Sequence, residues 1–388
     1  MSDATDIEYK TLIKAINRKY PIKIPYHKDV VDYLKIIFTP EQAIFLGSVF
    51  KQPFLDMLTL KQIVTRAKKA GIDINQEQAK KLLAPLTKKG VLMHIFGMYA
   101  LLPFVPGLFE FYFSAHSDSL ENLKKVAKQM EKLRDGPVKL LNEISATKTP
   151  VFRILPHSEA VEKTIEINKS LNVQTEILPF EVVKEFLNQV NDYCVVDCSC
   201  RYHSQILDDS CEKCPDGDIR ICMALGPASA YMVEGGWGTR LTREEALEKI
   251  KATEKAGLVH SVMNSREAPV LICNCCACHC GILSAVKDSR SPRSVVKSNF
   301  LPQIDQQKCI LCEKCVKLCP MDALFHYFPR NENLDDEHVQ LNEQMCIGCG
   351  VCATNCAKEA ITLKKVKNEI PVKDFVQLFK KSEADRIF

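Results

Sequence analysis

Residues 303–326 read QIDQQKCILCEKCVKLCPMDALFH, and residues 340–363 read QLNEQMCIGCGVCATNCAKEAITL. The two stretches align without a gap, Cys309 falling on Cys346 and Ala323 on Ala360, so the chain carries an internal duplication of one short unit. Each copy holds C-x2-C-x2-C-x3-C: Cys309, Cys312, Cys315 and Cys319 in the first, Cys346, Cys349, Cys352 and Cys356 in the second. A loop with this spacing curls around a cubane and points three thiolates at three irons. The fourth cysteine opens the next helix, cannot reach back, and serves the cluster of the other copy. The spacing therefore predicts two [4Fe–4S] clusters with crossed ligand sets. Cys309, Cys312, Cys315 and Cys356 would hold one, and Cys346, Cys349, Cys352 and Cys319 the other. Structural zinc on the same eight cysteines is the weaker alternative.

Pro320 follows the fourth cysteine of the first copy, and with it the unit resembles the two-cluster ferredoxins; Ala357 stands at that place in the second copy. The resemblance implies transfer of electrons one at a time. Gly348 and Gly350 let the backbone approach the inorganic sulfides, while the first copy has Glu313 and Lys314 in place of a glycine, which predicts a more crowded site. Ile310, Leu311, Ile347 and Val351 would keep water away. The charged segment from His326 to Val339 reads as a surface loop that helps to choose a redox partner.

Outward from the repeat, the composition is that of a globular protein of several domains. The chain has 388 residues, a formal net charge of +4 and nineteen cysteines, none before Cys194. Near-balanced charge gives no strong push towards nucleic acid or an anionic membrane. Cysteines crowded as C-x-C, C-x2-C and the adjacent pair Cys275-Cys276 exclude a secreted disulfide framework and point to shared metals. The start, MSDATDIEYK, has no secretory pattern. The most apolar stretch, from Val91 to Phe113, is broken by His94, Gly97, Pro103, Pro106, Gly107 and Glu110, so no transmembrane segment is expected. A reducing cytoplasm and an oxygen-poor niche are the expected setting.

The other eleven cysteines fall in two groups, YCVVDCSCRYHSQILDDSCEKCPDGDIRICM (193–223) and ICNCCACHCG (272–281). Alternation along a strand puts both sulfurs of a C-x-C on one side. Cys198, Cys200, Cys211, Cys222, Cys273, Cys275, Cys276 and Cys278 are the candidate ligands of an additional Fe–S cluster, or of zinc. Cys194 lies in an apolar run and reads as a small buried hydrophobe; Cys214, Cys280 and His279 are left open. Thr242 and Glu245 form a capping box for a helix through Ala256, which Gly257 ends. Together with EGGWGTR, LTREEAL, AGLVH and MNS, these motifs resemble a cysteine-rich domain found beside dicluster ferredoxins in anaerobic bacteria and archaea, in which another cysteine is common at the place of His279. That resemblance implies an iron–sulfur protein without specifying a reaction.

The N-terminal half reads as helices. A short one around Glu8–Arg18 leads to an extended entry through Pro21 and Pro25. Three more follow: one carrying Ala43, Ile44, Leu46 and Val49, one capped by Thr59, and one capped by Asn75 and containing Pro85, which should kink it. The runs Val91–Phe96 and Met98–Leu102 meet at Gly97 as a hairpin. Residues 59–103 resemble the winged-helix family. Between Glu41 and Ala100 there are nine basic and four acidic residues, a surplus that suits phosphate. The wing is apolar, however, and only Gln76 and Gln78 offer base-reading side chains, so docking or a structural role is favoured over DNA binding. Residues 115–150 read as a lysine-rich amphipathic helical segment with a solvated face, broken at Gly136-Pro137, residues 149–156 as a strand, and Phe180–Val190 as a helix.

The expected fold class is α+β, multidomain. An N-terminal extension (1–38) precedes a winged-helix-like domain (39–113), a helical linker region (114–176) and a cysteine-rich metal-binding domain (177–300). The two-cluster ferredoxin domain (301–366) and a C-terminal helix (367–388) complete it. No phosphate-binding glycine loop is present, and Gly235–Gly238 reads as a turn. The expected function is electron relay to or from a partner oxidoreductase, as its subunit rather than as a stand-alone enzyme. The alternatives are a redox-sensing winged-helix transcription regulator and a stand-alone iron–sulfur reductase.

Overall fold

The computed structural model describes residues 6–136, 138, 140–170, 177–210, 217–288, 294–329 and 337–387. Helix and strand are mixed throughout, as an α+β chain requires. Among the described residues, no helix is long and apolar enough to cross a membrane.

Local signals start most of the N-terminal elements. Thr39 with Gln42, Thr59 with Gln62 and Asn75 with Gln78 each close a capping box, opening helices Pro40–Val49, Leu60–Lys69 and Gln76–Lys88. The last helix runs through Pro85 to Lys88. The turn Phe96-Gly97, with both φ angles positive, joins strands Leu92–Ile95 and Met98–Leu101, and Leu58–Thr59 adds a third strand. The entry segment is more ordered than an extended reading allows. Pro25 is followed by a helix, Lys28–Ile37, whose Val30, Val31, Leu34 and Ile37 form a buried stripe. The first helix, Ile7–Asn17, lies so close to its neighbour that a Cβ on Gly47 would stand 2.7 Å from the Thr11 carbonyl carbon. Residues 6–37 are therefore part of the N-terminal core. The lysine-rich helix Leu120–Asp135 is amphipathic, as its sequence predicts, burying Leu123, Val126, Ala127, Met130 and Leu133 on one face.

The centre is a seven-stranded sheet ordered Val295–Val296, Phe152–Leu155, Val259–Met263, Leu271–Cys275, Cys222–Leu225, Tyr193–Val196 and Thr239–Leu241. All four residues of Phe152–Leu155 are buried, and the strand pairs with Val259–Met263. This is the strand expected within 149–156, and it belongs to the central sheet. The helix expected over Phe180–Val190 is a single turn, Pro179–Glu181, followed by a short helix, Val183–Leu187. Glu181 interrupts it by turning inward to Lys365 Nζ (2.8 Å) and Asn299 Nδ2 (2.5 Å). The helix Arg243–Lys255 begins at the Thr242–Glu245 capping box.

In the repeat, the strands pair crosswise. Phe300–Ile304 of the first copy pairs with Ile361–Lys365 of the second, and Leu324–Tyr327 with His338–Leu341. The closing helix Phe375–Ala384 returns to the N-terminal region, Phe379 meeting Tyr20 edge-on at 5.0 Å and Glu383 meeting Lys23 at 2.8 Å.

Candidate metal centres

Strand exchange in the repeat brings the fourth cysteine of each copy to the other. Cys319 joins Cys346, Cys349 and Cys352 around a small cavity roofed by Pro302, Ile347 and Val351. Cys315 has Cys309, Cys312 and Cys356 as its ionisable neighbours. The backbone repeats too: Gly348 and Gly350 have φ of +69° and +78°, and their counterparts Leu311 and Glu313 take +53° and +56°. A curl that brings amides over a cluster needs this left-handed geometry in both copies. Only the second supplies it with glycine, and there the space is closed: a Cβ on Gly348 would lie 2.2 Å from Phe300 O and Ser298 Oγ.

The two sites differ in burial. Cys346, Cys349 and Cys352 are each 8% exposed, whereas Cys312 is exposed and Cys309 and Cys315 are half-buried. Burial pushes the Cys346 and Cys315 thiols up to about 11, so metal binding at either site must release protons.

Six of the central cysteines close into a ring. Cys198 contacts Cys200 and Cys222; Cys222 contacts Cys273, Cys273 contacts Cys275, Cys275 contacts Cys280, and Cys280 returns to Cys200. Three features of the fold assemble it. Cys273 and Cys275 alternate onto one face of Leu271–Cys275. Cys222 begins the neighbouring strand, one residue before Met223, which pairs with Ile272. Cys198 and Cys280 sit at the N-termini of helices Ser199–Ile206 and Gly281–Asp288, where the dipole favours thiolate. The fully buried Arg201 reaches Cys198 Sγ at 3.4 Å and Asn274 O at 2.9 Å. Contacts from Cys200 and Cys222, with the Arg201 charge, hold the Cys198 thiol well below its usual range; the same contacts push Cys200 and Cys222 up. Soft donors around one space, offset by a buried cation, suit an iron–sulfur group.

The ring differs from the set of ligands expected from the sequence. Cys280 belongs to it, while Cys276 and Cys278 gather with His279 at its edge, Cys276 lying in one packed cluster with Cys198. The candidate Cys211, with Cys214, lies outside the described residues. Cys194 is fully buried in its strand, close to Gly238, away from the ring. No disulfide joins the described cysteines.

A cavity of about 140 Å³ opens from the ring towards the N-terminal region and is bounded there by Val105, Phe109 and Glu110. Burial pushes the Glu110 carboxyl up to about 7 against the pull of the Gly107 amide, 2.7 Å away. His203, also on the wall, is buried and lowered to about 4.

The ring and the second copy are joined by a buried column. Asn274 Oδ1 bonds His260 Nδ1 at 2.7 Å, and the His260 ring lies 5.2 Å from that of His157. The His157 amide donates to Cys349 O at 3.0 Å, and its ring bonds Thr354 Oγ1 and Leu258 O. Glu254, 3.2 Å from His260 Nε2, is kept ionised against its burial by the two imidazoles. Residue spacing alone did not expose this column, because its members come from four separate segments.

Residues 301–357 match the family model described as the 4Fe-4S dicluster domain. That domain binds 4Fe-4S clusters and supports an iron–sulfur electron-transfer role for this part of the chain. No curated protein and no solved structure matches the chain.

Proposed function

We propose that the protein is a cytoplasmic electron-transfer subunit linking a partner oxidoreductase to a third iron–sulfur centre held by Cys198, Cys200, Cys222, Cys273, Cys275 and Cys280. When bound, such clusters supply one-electron exchange. The crossed cysteine sets of the repeat are proposed as the ligands of its two [4Fe–4S] clusters. The observation that carries the reading is the buried column from Cys198 through Arg201, Asn274, His260 and His157 to Cys349. It makes the ring and the second copy one packed unit rather than two modules on a tether.

The first copy faces the other way. In the copy that carries the exposed Cys312, Ile310 is 60% exposed, and Phe325, Tyr327 and Phe328 near the strand Leu324–Tyr327 are exposed too. Exposed apolar side chains of this kind suit contact with a protein partner. Phe96, at the tip of the N-terminal hairpin, is exposed as well. An apolar tip favours protein docking over phosphate contact, and a gel shift with oxidised and reduced protein tests that choice. Electron paramagnetic resonance on anaerobically purified, stepwise reduced protein tests the main reading. Reducible signals beyond those of two cubanes support it; absence of any reducible iron–sulfur signal ends it.

The cavity beside the ring favours a second reading, a reductase acting on a small molecule with Glu110 at hand. Turnover with a reduced viologen and no partner protein would support it, and its absence across candidate substrates would leave the relay alone.

A further inference from the structure

We propose that Cys276, Cys278 and His279 bind a single zinc ion, in a site that adjoins the six-cysteine ring and shares no ligand with it. The two thiol sulfurs and a ring nitrogen of His279 lie within 4.8 Å of one another, and Cys276 Sγ is 3.9 Å from His279 Nδ1. Zn–S bonds of about 2.3 Å and Zn–N bonds of about 2.0 Å in a tetrahedron place neighbouring ligand atoms about 3.5–3.8 Å apart. Ligands of a cubane spread wider, because each sits on its own iron. The spacing therefore fits one ion.

The local fold explains why these residues leave the ring. Cys276 follows the last residue of strand Leu271–Cys275, so alternation turns it away from Cys273 and Cys275. The turn that follows is closed by Cys280 N donating to Cys276 O at 3.0 Å, and it carries Cys278 and His279 back over Cys276.

His279 is oriented as zinc-ligating histidines are. Its side chain is nearly buried, Nδ1 faces Cys276, and Nε2 lies 3.3 Å from Asp209 Oδ2. The Asp209 carboxylate makes no hydrogen bond to Nε2, but a negative charge at this distance complements a proton on Nε2 and so leaves Nδ1 free for a metal. A donor set of two thiolates and an imidazole favours zinc over harder ions. Cys278 is exposed, which leaves an entry path, while Cys276 packs with Ile221, Leu258 and Cys198. The described residues give three ligands, and a water would complete the tetrahedron. The ion would pin the turn from which Cys275 and Cys280 reach the ring. The proposal stands on these residues whatever occupies the ring.

The test is zinc, iron and labile sulfide per chain in the full-length protein, purified anaerobically and then titrated with Zn²⁺. Wild type is expected to hold one zinc per chain. Cys278→Ser and His279→Gln should lose it while keeping wild-type iron and sulfide. Co²⁺ loaded in place of zinc should show thiolate charge-transfer bands that vanish in Cys278→Ser. Wild type that takes up no zinc or cobalt would overturn the proposal. So would a Cys278→Ser chain that keeps its zinc, or one whose iron falls in step with it.

Discussion

The copy of the repeat at 346–356 is packed into the protein, whereas the copy at 309–319 faces water, although the two share cysteine spacing and backbone. His157 and Ala160 press on Gly350, and the Ser298 and Phe300 oxygens press on Gly348. Opposite them, Leu311 and Glu313 hold the same left-handed angles without glycine, Leu311 half-buried against the core and Glu313 bonded to His326 Nδ1 at 2.8 Å. Duplication thus fixes the metal-binding curl, and the environment divides the labour. One copy is joined to the interior, and the other is presented to a partner. Removing parts from each side in turn tests that division.

The largest difference is expected between Cys349→Ser and Cys312→Ser. Each should lose about half of the repeat's iron. The buried change should also lower folding stability by several kcal/mol, since metal binding there is coupled to the packing of the whole molecule. The exposed one should leave the denaturant midpoint of the remaining domains nearly unchanged. Equal losses of stability would break the comparison.

Next in size is the glycine test. Gly348→Ala meets two oxygens at 2.2 Å in a left-handed conformation and should cost about 2–4 kcal/mol in a urea melt. Leu311→Gly, at the matching place in the first copy, relieves backbone strain but adds unfolded-state entropy and gives up the half-buried side chain, and should cost less than Gly348→Ala, about 1–2 kcal/mol.

The contrast between the copies shows what the sequence made legible. Eight cysteines at a local, repeated spacing could be assigned to crossed sets, because each set is built from one loop plus one helix start. The central ligands could not be sorted in the same way. Cys198, Cys222, Cys273 and Cys280 come from separate strands and helix ends, and their meeting depends on sheet register. The strand alternation of 273, 275 and 276 does separate Cys276 from its neighbours, once Leu271–Cys275 is known to be a strand that stops at 275. Cys280 carried a weaker signal, a cysteine at the start of the helix Gly281–Asp288. The helix Lys28–Ile37 was hidden behind Pro21 and Pro25, although its apolar stripe is regular.

Two titrations of opposite sign sharpen the account of burial. His157, on the inner side of the second copy, is lowered to about 4 by burial. Its unfolded form takes a proton first as pH falls through 6.5, so stability is full above that pH and declines towards 4. By pH 5 the loss is about 2 kcal/mol, and His157→Asn should remove that part of the slope, leaving the similar share of His203. Glu110 behaves inversely. Its folded form keeps the proton up to about 7, so stability is full below 4.5 and declines as pH rises to 7. Glu110→Gln should therefore gain on the order of 1 kcal/mol over wild type at pH 8, discounted for the cavity it borders, and nothing near pH 4.

The central claim is that the ring is a metal centre in line with the repeat, and iron per chain tests it most directly. Two cubanes account for about eight irons. Anaerobically purified wild type should carry more than that, falling to about eight in Cys275→Ser, with the signals of the repeat unchanged. A wild-type chain that already stops at eight, with the ring thiols open to alkylation, would contradict the account.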